Sequence, residues 1–99
     1  MADTRTTSAG TKTLRVLTAL SGHTLNGISN SELAKRLNES PATINRCLNT
    51  LIEEGYATKL DSGLFAPGMQ LLKVAHRRAK EFTAARQKMD EIEDAISRY

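Results

Sequence analysis

The sequence predicts a mainly α-helical fold: three helices plus a short β-hairpin, then one long C-terminal helix. Three observations carry that expectation. Two helix-start signals stand close together, at Ser29 and at Ser40. The pattern changes from helical to alternating just after Gly55, and neither Gly nor Pro interrupts the chain from Met69 to Tyr99. Ninety-nine residues make one small domain with a modest core, which leaves little room for a buried catalytic pocket.

Residues 1–10 are rich in Thr, Ser, Asp and Gly and offer nothing apolar to bury, so they read as a flexible N-terminal arm. From Thr11 the apolar residues Leu14, Val16, Leu17 and Leu20 are assigned to one side of a first helix, which Gly22 ends. Ser29 and Glu32 have capping-box spacing: the serine oxygen accepts from an orphan backbone N–H while the glutamate reaches back. A second helix then runs through Leu33, Ala34 and Leu37. Ser40 caps a third helix, and Pro41 suits its first position because the missing N–H costs nothing there. That helix should run to Glu54 and bury Ile44, Leu48 and Leu51, with the lone Cys47 within the same core pattern, until a left-handed Gly55 ends it.

Tyr56, Ala57, Thr58, Lys59 and Leu60 then alternate loosely, and Leu64, Phe65 and Ala66 answer them across Asp61, Ser62 and Gly63, which is a β-hairpin. Two short helices joined by a tight turn form a helix-turn-helix, whose second helix enters a DNA major groove. With the hairpin as wing, residues 11–68 read as a winged helix-turn-helix DNA-binding domain. Residues 69–99 read as a single helix about 45 Å long. With Phe82, Met89 and Ile96 at heptad position a, Ala85, Ile92 and Tyr99 fall at d, an unbroken apolar or aromatic seam. The same register pairs Glu81 with Arg86 and Lys88 with Glu93 between parallel helices, so a parallel coiled-coil homodimer is expected. The competing reading packs this stripe back on its own domain.

The run ELAKRLNESPATINRCLNTLIEEGYATKLDSGLFAPGMQLL resembles the DNA-binding domain of the IclR family of bacterial transcription regulators. Glu32, Leu33 and Ala34 are similar to that family's second-helix motif, and Thr43, Ile44, Arg46, Leu48 and Leu51 to its recognition helix. Gly55, Tyr56 and the wing leading to Gly68, Leu71 and Leu72 complete the likeness, which spans residues 14–72. The resemblance implies a DNA-binding regulator. Family members carry a large C-terminal effector-binding domain, and a chain that stops after one long helix is expected to lack it. Pro41 and Ala42 stand where the family often has polar or basic residues, so the contact set should be this chain's own.

The third helix presents Ala42, Thr43, Asn45, Arg46 and Asn49 beside its apolar face, and these side chains have the chemistry that base edges require. Arg bridges guanine O6 and N7, Asn pairs with adenine N6 and N7, and Thr or Ala touches a thymine methyl. Asn45 and Arg46 are the leading base readers; the bland reading keeps Arg46 on phosphate and Asn49 in solvent. Phosphate contacts are expected from Lys12 and Arg15 on the first helix, Lys35 and Arg36 on the second, Ser40 at the cap, and Lys59 or Ser62 on the wing. Ordinary solvent-facing charge is the competing reading for Lys35 and Arg36, and capping alone for Ser40. Lys73, His76, Arg77, Arg78 and Lys80 add a basic stretch at the root of the last helix.

The net charge of +3 is mild, so placement rather than total charge carries the argument. The single cysteine fits a buried thiol in a reducing setting, and His23 and His76 have no ligand cluster near them. No phosphate loop, nucleophile motif or paired catalytic carboxylates appear, so no enzyme, metal or cofactor is expected. The absence of a long apolar run places the protein in the cytoplasm. The expectation is a homodimeric, sequence-specific regulator that binds double-stranded DNA, most simply a repressor. The rivals are a protein-interaction module for another regulator or a replication or recombination protein, and a weakly selective architectural DNA-binding protein of a phage or mobile element.

Overall fold

In the computed structural model, which describes residues 4–99, the elements follow in the order α1 (Ser8–Leu20), α2 (Asn30–Leu37), α3 (Pro41–Glu53), β1 (Ala57–Lys59), β2 (Phe65–Pro67) and α4 (Met69–Ser97). This is a winged helix-turn-helix followed by a long helix. Residues 1–3 of the expected arm lie outside the described residues, and residues 8–10 form the first turn of α1. The Thr11 and Thr13 hydroxyls donate back to the carbonyls of Thr7 and Ala9, so helical bonding begins upstream of Thr11.

Val16, Leu20, Leu33, Ile44 and Leu48 are fully enclosed where the first three helices meet. Each such side chain stabilises the domain by roughly 1.5–3 kcal/mol on burial. Ile28, Ala57 and Ala66 close the side facing the wing. Leu14 does not join them: it is 63% exposed. At about 100° per residue it stands about 110° around the helix from the centre of the Val16, Leu17 and Leu20 face. Its spacing therefore belongs to the outer edge of α1.

Local chemistry explains the turn between α2 and α3. The Ser29 hydroxyl accepts from the Glu32 N–H at 3.1 Å, which caps α2. The reciprocal half of the expected capping box is replaced by an ion pair: Arg36 Nε donates to Glu32 Oε1 at 3.1 Å, one turn along the helix. Asn38 ends α2 in the left-handed conformation, with φ of 54°, where its short polar side chain is better tolerated than most. The Glu39 N–H returns to the Ala34 carbonyl at 3.0 Å, and Asn30 Nδ2 donates to the Pro41 carbonyl at 3.3 Å. The two helices are thus joined at the turn and again across it.

The wing is antiparallel, with Ala57 opposite Pro67, Thr58 opposite Ala66 and Lys59 opposite Phe65. Ile28 adds a third, single-residue strand by exchanging two 2.8 Å backbone bonds with Phe65. The alternating pattern gave no sign of this, because Ile28 is one apolar residue inside a loop.

Gly55 ends α3 with φ of 82°, as its position implied. It also accepts the Gln70 N–H at 2.9 Å, while the Gly68 N–H bonds the Tyr56 carbonyl at 3.0 Å. The root of α4 is therefore tied to the C-terminal end of α3. Gly68 is required there by close approach: a Cβ would collide with the Gly55 carbonyl oxygen and meet the Ala57 nitrogen at 2.8 Å. Beyond this root α4 buries no residue. Gly68→Ala should lower stability by about 1–3 kcal/mol in urea unfolding, because backbone must move to admit the methyl group. An unchanged midpoint would contradict the close packing of this junction.

Candidate nucleic-acid interface

α3 is two-sided at helical spacing. Ile44, Cys47, Leu48 and Leu51 form one stripe and are buried; Ala42, Asn45, Arg46 and Asn49 form the opposite stripe and are exposed. Each set follows the i, i+3, i+4, i+7 spacing of a single helix face. Burial of the first stripe therefore determines the outward direction of the second. Thr43 lies between them and is half-buried.

The start of α3 is a small hydrogen-bonded chain. The Thr43 N–H donates to Ser40 Oγ at 3.1 Å, the Ser40 hydroxyl donates to Thr43 Oγ1 at 2.9 Å, and Arg46 Nη2 donates to the same Thr43 oxygen at 3.4 Å. Ser40 is thus occupied as cap and as donor. Thr43 holds the Arg46 guanidinium toward the N-terminal end of α3, where the helix dipole and orphan N–H groups favour an anion. No acidic residue stands in that first turn.

The expected phosphate-contacting residues divide by what they touch. Lys12 Nζ lies 3.5 Å from Glu39 Oε2, and Arg36 holds Glu32 while its Nη1 stands 3.4 Å from His23 Nε2. Both cations are therefore tied to neighbours within the domain. Arg15 and Lys35 are exposed. On the wing, Lys59 stands over the Phe65 ring at 5.8 Å, and Ser62 Oγ accepts from the Leu64 N–H at 3.3 Å, which places that hydroxyl inside the turn.

The structure also brings the start of α1 beside α3. Ser8, Ala9, Lys12 and Thr13 face Thr43, Arg46, Cys47 and Thr50 across a cleft of about 390 Å³. Ser8, Ala9, Thr13 and Thr50 escaped the sequence reading, because helix proximity across a tertiary contact leaves no local pattern. His23 belongs with them: its place beside Arg36 spans a loop and a helix. Cys47 is buried, as its position in the core stripe implied. Among the described residues there is no group of three His, Cys, Asp or Glu side chains able to hold a metal ion, and no helix is long and apolar enough to cross a membrane.

Residues 11–61 match the family model described as the IclR helix-turn-helix domain. The fold resembles HmgR of Pseudomonas aeruginosa, with a TM-score of 0.61 and 25% identity, over 69% of this chain and 29% of that one. It also resembles an IclR family transcriptional regulator of Brucella abortus, with a TM-score of 0.65 and 25% identity, over 76% of this chain and 29% of that one. A Silicibacter protein assigned as an IclR transcriptional regulator gives a TM-score of 0.66 and 25% identity, over 81% of this chain and 33% of that one. The chain spans about a third of the length of these structures or less. No curated protein matches the sequence.

Ser40→Ala should cost about 1 kcal/mol, because it removes the cap of α3. Thr43→Val keeps that cap and should cost less. Equal costs in chemical denaturation would show that the Thr43 hydroxyl, rather than the cap, organises this end of the helix.

Proposed function

The chain belongs to the family of the IclR helix-turn-helix domain, and on that premise we propose that it binds double-stranded DNA sequence-specifically as a homodimer and regulates transcription. Its simplest action is repression by occluding a promoter. The observation that carries this reading is the exposed stripe Ala42, Asn45, Arg46 and Asn49, opposite a stripe that is buried. Asn45 and Arg46 read base edges, Thr43 and Ala42 meet thymine methyl groups, and Asn49 stands at the end of the same face. Lys35, Arg15 and Lys59 meet phosphate directly, together with the end of α3 at Ser40. Lys12 and Arg36 do so while bound to Glu39 and Glu32, and Ser62 contributes through the wing turn it braces.

In this reading residues 11–68 are the DNA-binding unit and residues 69–99 pair two copies. Phe82, Ala85, Met89, Ile92, Ile96 and Tyr99 are exposed along α4 and its end, with Phe82, Met89 and Ile96 more than 60% exposed. They supply the seam of a parallel coiled coil over residues 82–99, flanked by Glu81 with Arg86 and Lys88 with Glu93 of a second copy. A two-fold dimer recognises an inverted repeat with half-sites on one duplex face.

Binding the protein to a pool of random duplexes, sequencing the retained fraction and measuring molar mass by light scattering tests the reading. Enrichment of an inverted repeat by a dimer is expected. Salt-sensitive binding without enrichment would replace it with an architectural role, and no binding would replace it with protein recognition. On the enriched site, Arg46→Ala should weaken binding by 1–3 kcal/mol, or about 5- to 150-fold, and relax preference at one base pair. Lys35→Ala should weaken binding evenly across sequences and lower the salt slope by about one.

A further inference from the structure

α4 carries its charge at the wrong ends for a solitary helix. Lys73, Arg77, Arg78 and Lys80 crowd its first half, which has no carboxylate before Glu81; Asp90, Glu91, Glu93 and Asp94 crowd its last turns, which have no cation after Lys88 within the helix. A helix dipole favours the reverse arrangement. The basic half also starts beside Gly55, so its root lies at the end of α3 remote from the Ser40 cap. An anionic partner of another kind is implied, and α4 itself contains one.

Extending the heptad register toward the root puts Ala75 at a and Arg78 at d. A parallel pair would bring Arg78 against Arg78 of the second copy, basic half against basic half and acidic end against acidic end. Arg78 now lies 4.9 Å from the Phe82 ring, over its face and on the same stripe. Reversing one helix about a centre between Thr83 and Ala84 removes these conflicts and exchanges the Glu81–Arg86 and Lys88–Glu93 pairs of the parallel form for Glu81 with Lys88. Phe82 then packs on Ala85 of the second copy, Arg78 on Met89 and Ala75 on Ile92, so each a residue meets a d residue. Glu81 stands near Lys88 of the second copy, the basic half runs beside the acidic end, and the two dipoles oppose. Tyr99 arrives level with Gly68 of the second copy, where that domain begins.

We propose that in the absence of DNA α4 pairs antiparallel with the α4 of a second copy, holding the two domains at opposite ends of the helix pair, where they cannot both dock on one short inverted repeat. DNA binding shifts the population to the parallel pair by engaging both domains at once. The charge complementarity of the two halves, which is weakened by salt, favours the DNA-free form. This inference rests on the homodimer of the proposed function.

A spin label at Ser97→Cys reads the arrangement directly, because Ser97 is exposed whereas the native Cys47 is buried. In the antiparallel pair the two labels are about 40 Å apart along the axis, twenty-seven residues of rise. In the parallel pair they lie within about 20 Å, across neighbouring helices 8–10 Å apart. The full chain without DNA at low salt should give the long distance, and an enriched inverted-repeat duplex should give the short one. Glu81→Lys with Lys88→Glu keeps opposite charges between residues 81 and 88 of the antiparallel pair but sets like charges against Arg86 and Glu93 of the parallel one, so this variant should hold the long distance even with the duplex. A dimer with only the short distance at every salt concentration would overturn this inference and leave the homodimer standing; a monomer at all concentrations would overturn both.

Discussion

The burial of four side chains on α3 is the constraint on which the rest of the molecule depends. Ile44, Cys47, Leu48 and Leu51 insert into the space left by Val16, Leu20 and Leu33, and this sets the rotation of the helix about its own axis. Rotating α3 by one residue would turn a buried position outward and cost the transfer and packing energy of a core side chain, roughly 2–5 kcal/mol for a leucine. The outward stripe has no such energetic claim of its own. Asn45 and Arg46 face solvent because their neighbours cannot, and recognition in this account depends on hydrophobic packing on the far side of the helix.

Caps and hydrogen bonds refine what packing sets. Ser29, Asn38 and Ser40 mark where α2 starts, where it stops and where α3 starts, so the turn is defined within a few residues. Thr43 connects the cap to Arg46, coupling the helix start to the principal cation of the exposed face. The wing is anchored by a strand of one residue, Ile28, which ties the loop before α2 to β2. These bonds are individually modest, about 1 kcal/mol each, and their value lies in the geometry they enforce. α4 is governed by different physics: nothing in its own domain covers its apolar stripe, and its charge distribution opposes its own dipole. Both features are met by the second copy of the proposed dimer.

The legible parts of the sequence were those whose signals are local. Ser40 with Pro41, Gly55 with its left-handed turn, and Asp61, Ser62 and Gly63 between two alternating runs each predicted an element that the structure contains. The stripe of α3 was equally readable, because its period is intrinsic to the helix. Leu14 misled because its apolar character outweighed its angle, although its spacing already sets it about 110° from the centre of the buried face. Lys12 pairs with Glu39, and Arg36 adjoins His23, through contacts that exist only after the helices pack, so no spacing announces them. The pair of Arg36 with Glu32 was different: its i, i+4 spacing was visible, and the capping-box assignment for Glu32 competed with it. Ile28 could not have been found from a pattern, since a one-residue strand has no period.

In the proposed binding mode α3 presents its N-terminal half and its outer stripe to a duplex while its buried stripe and C-terminal end remain with the domain. Backbone amide chemical shifts of the full chain, followed through titration with an enriched duplex, test this most directly. Within the DNA-binding unit the shifts are expected over residues 40–49 and the wing turn, with little change over residues 51–56, while the α4 seam moves separately as the helix pair rearranges. Shifts confined to α4, or none during saturating binding, would contradict this binding mode.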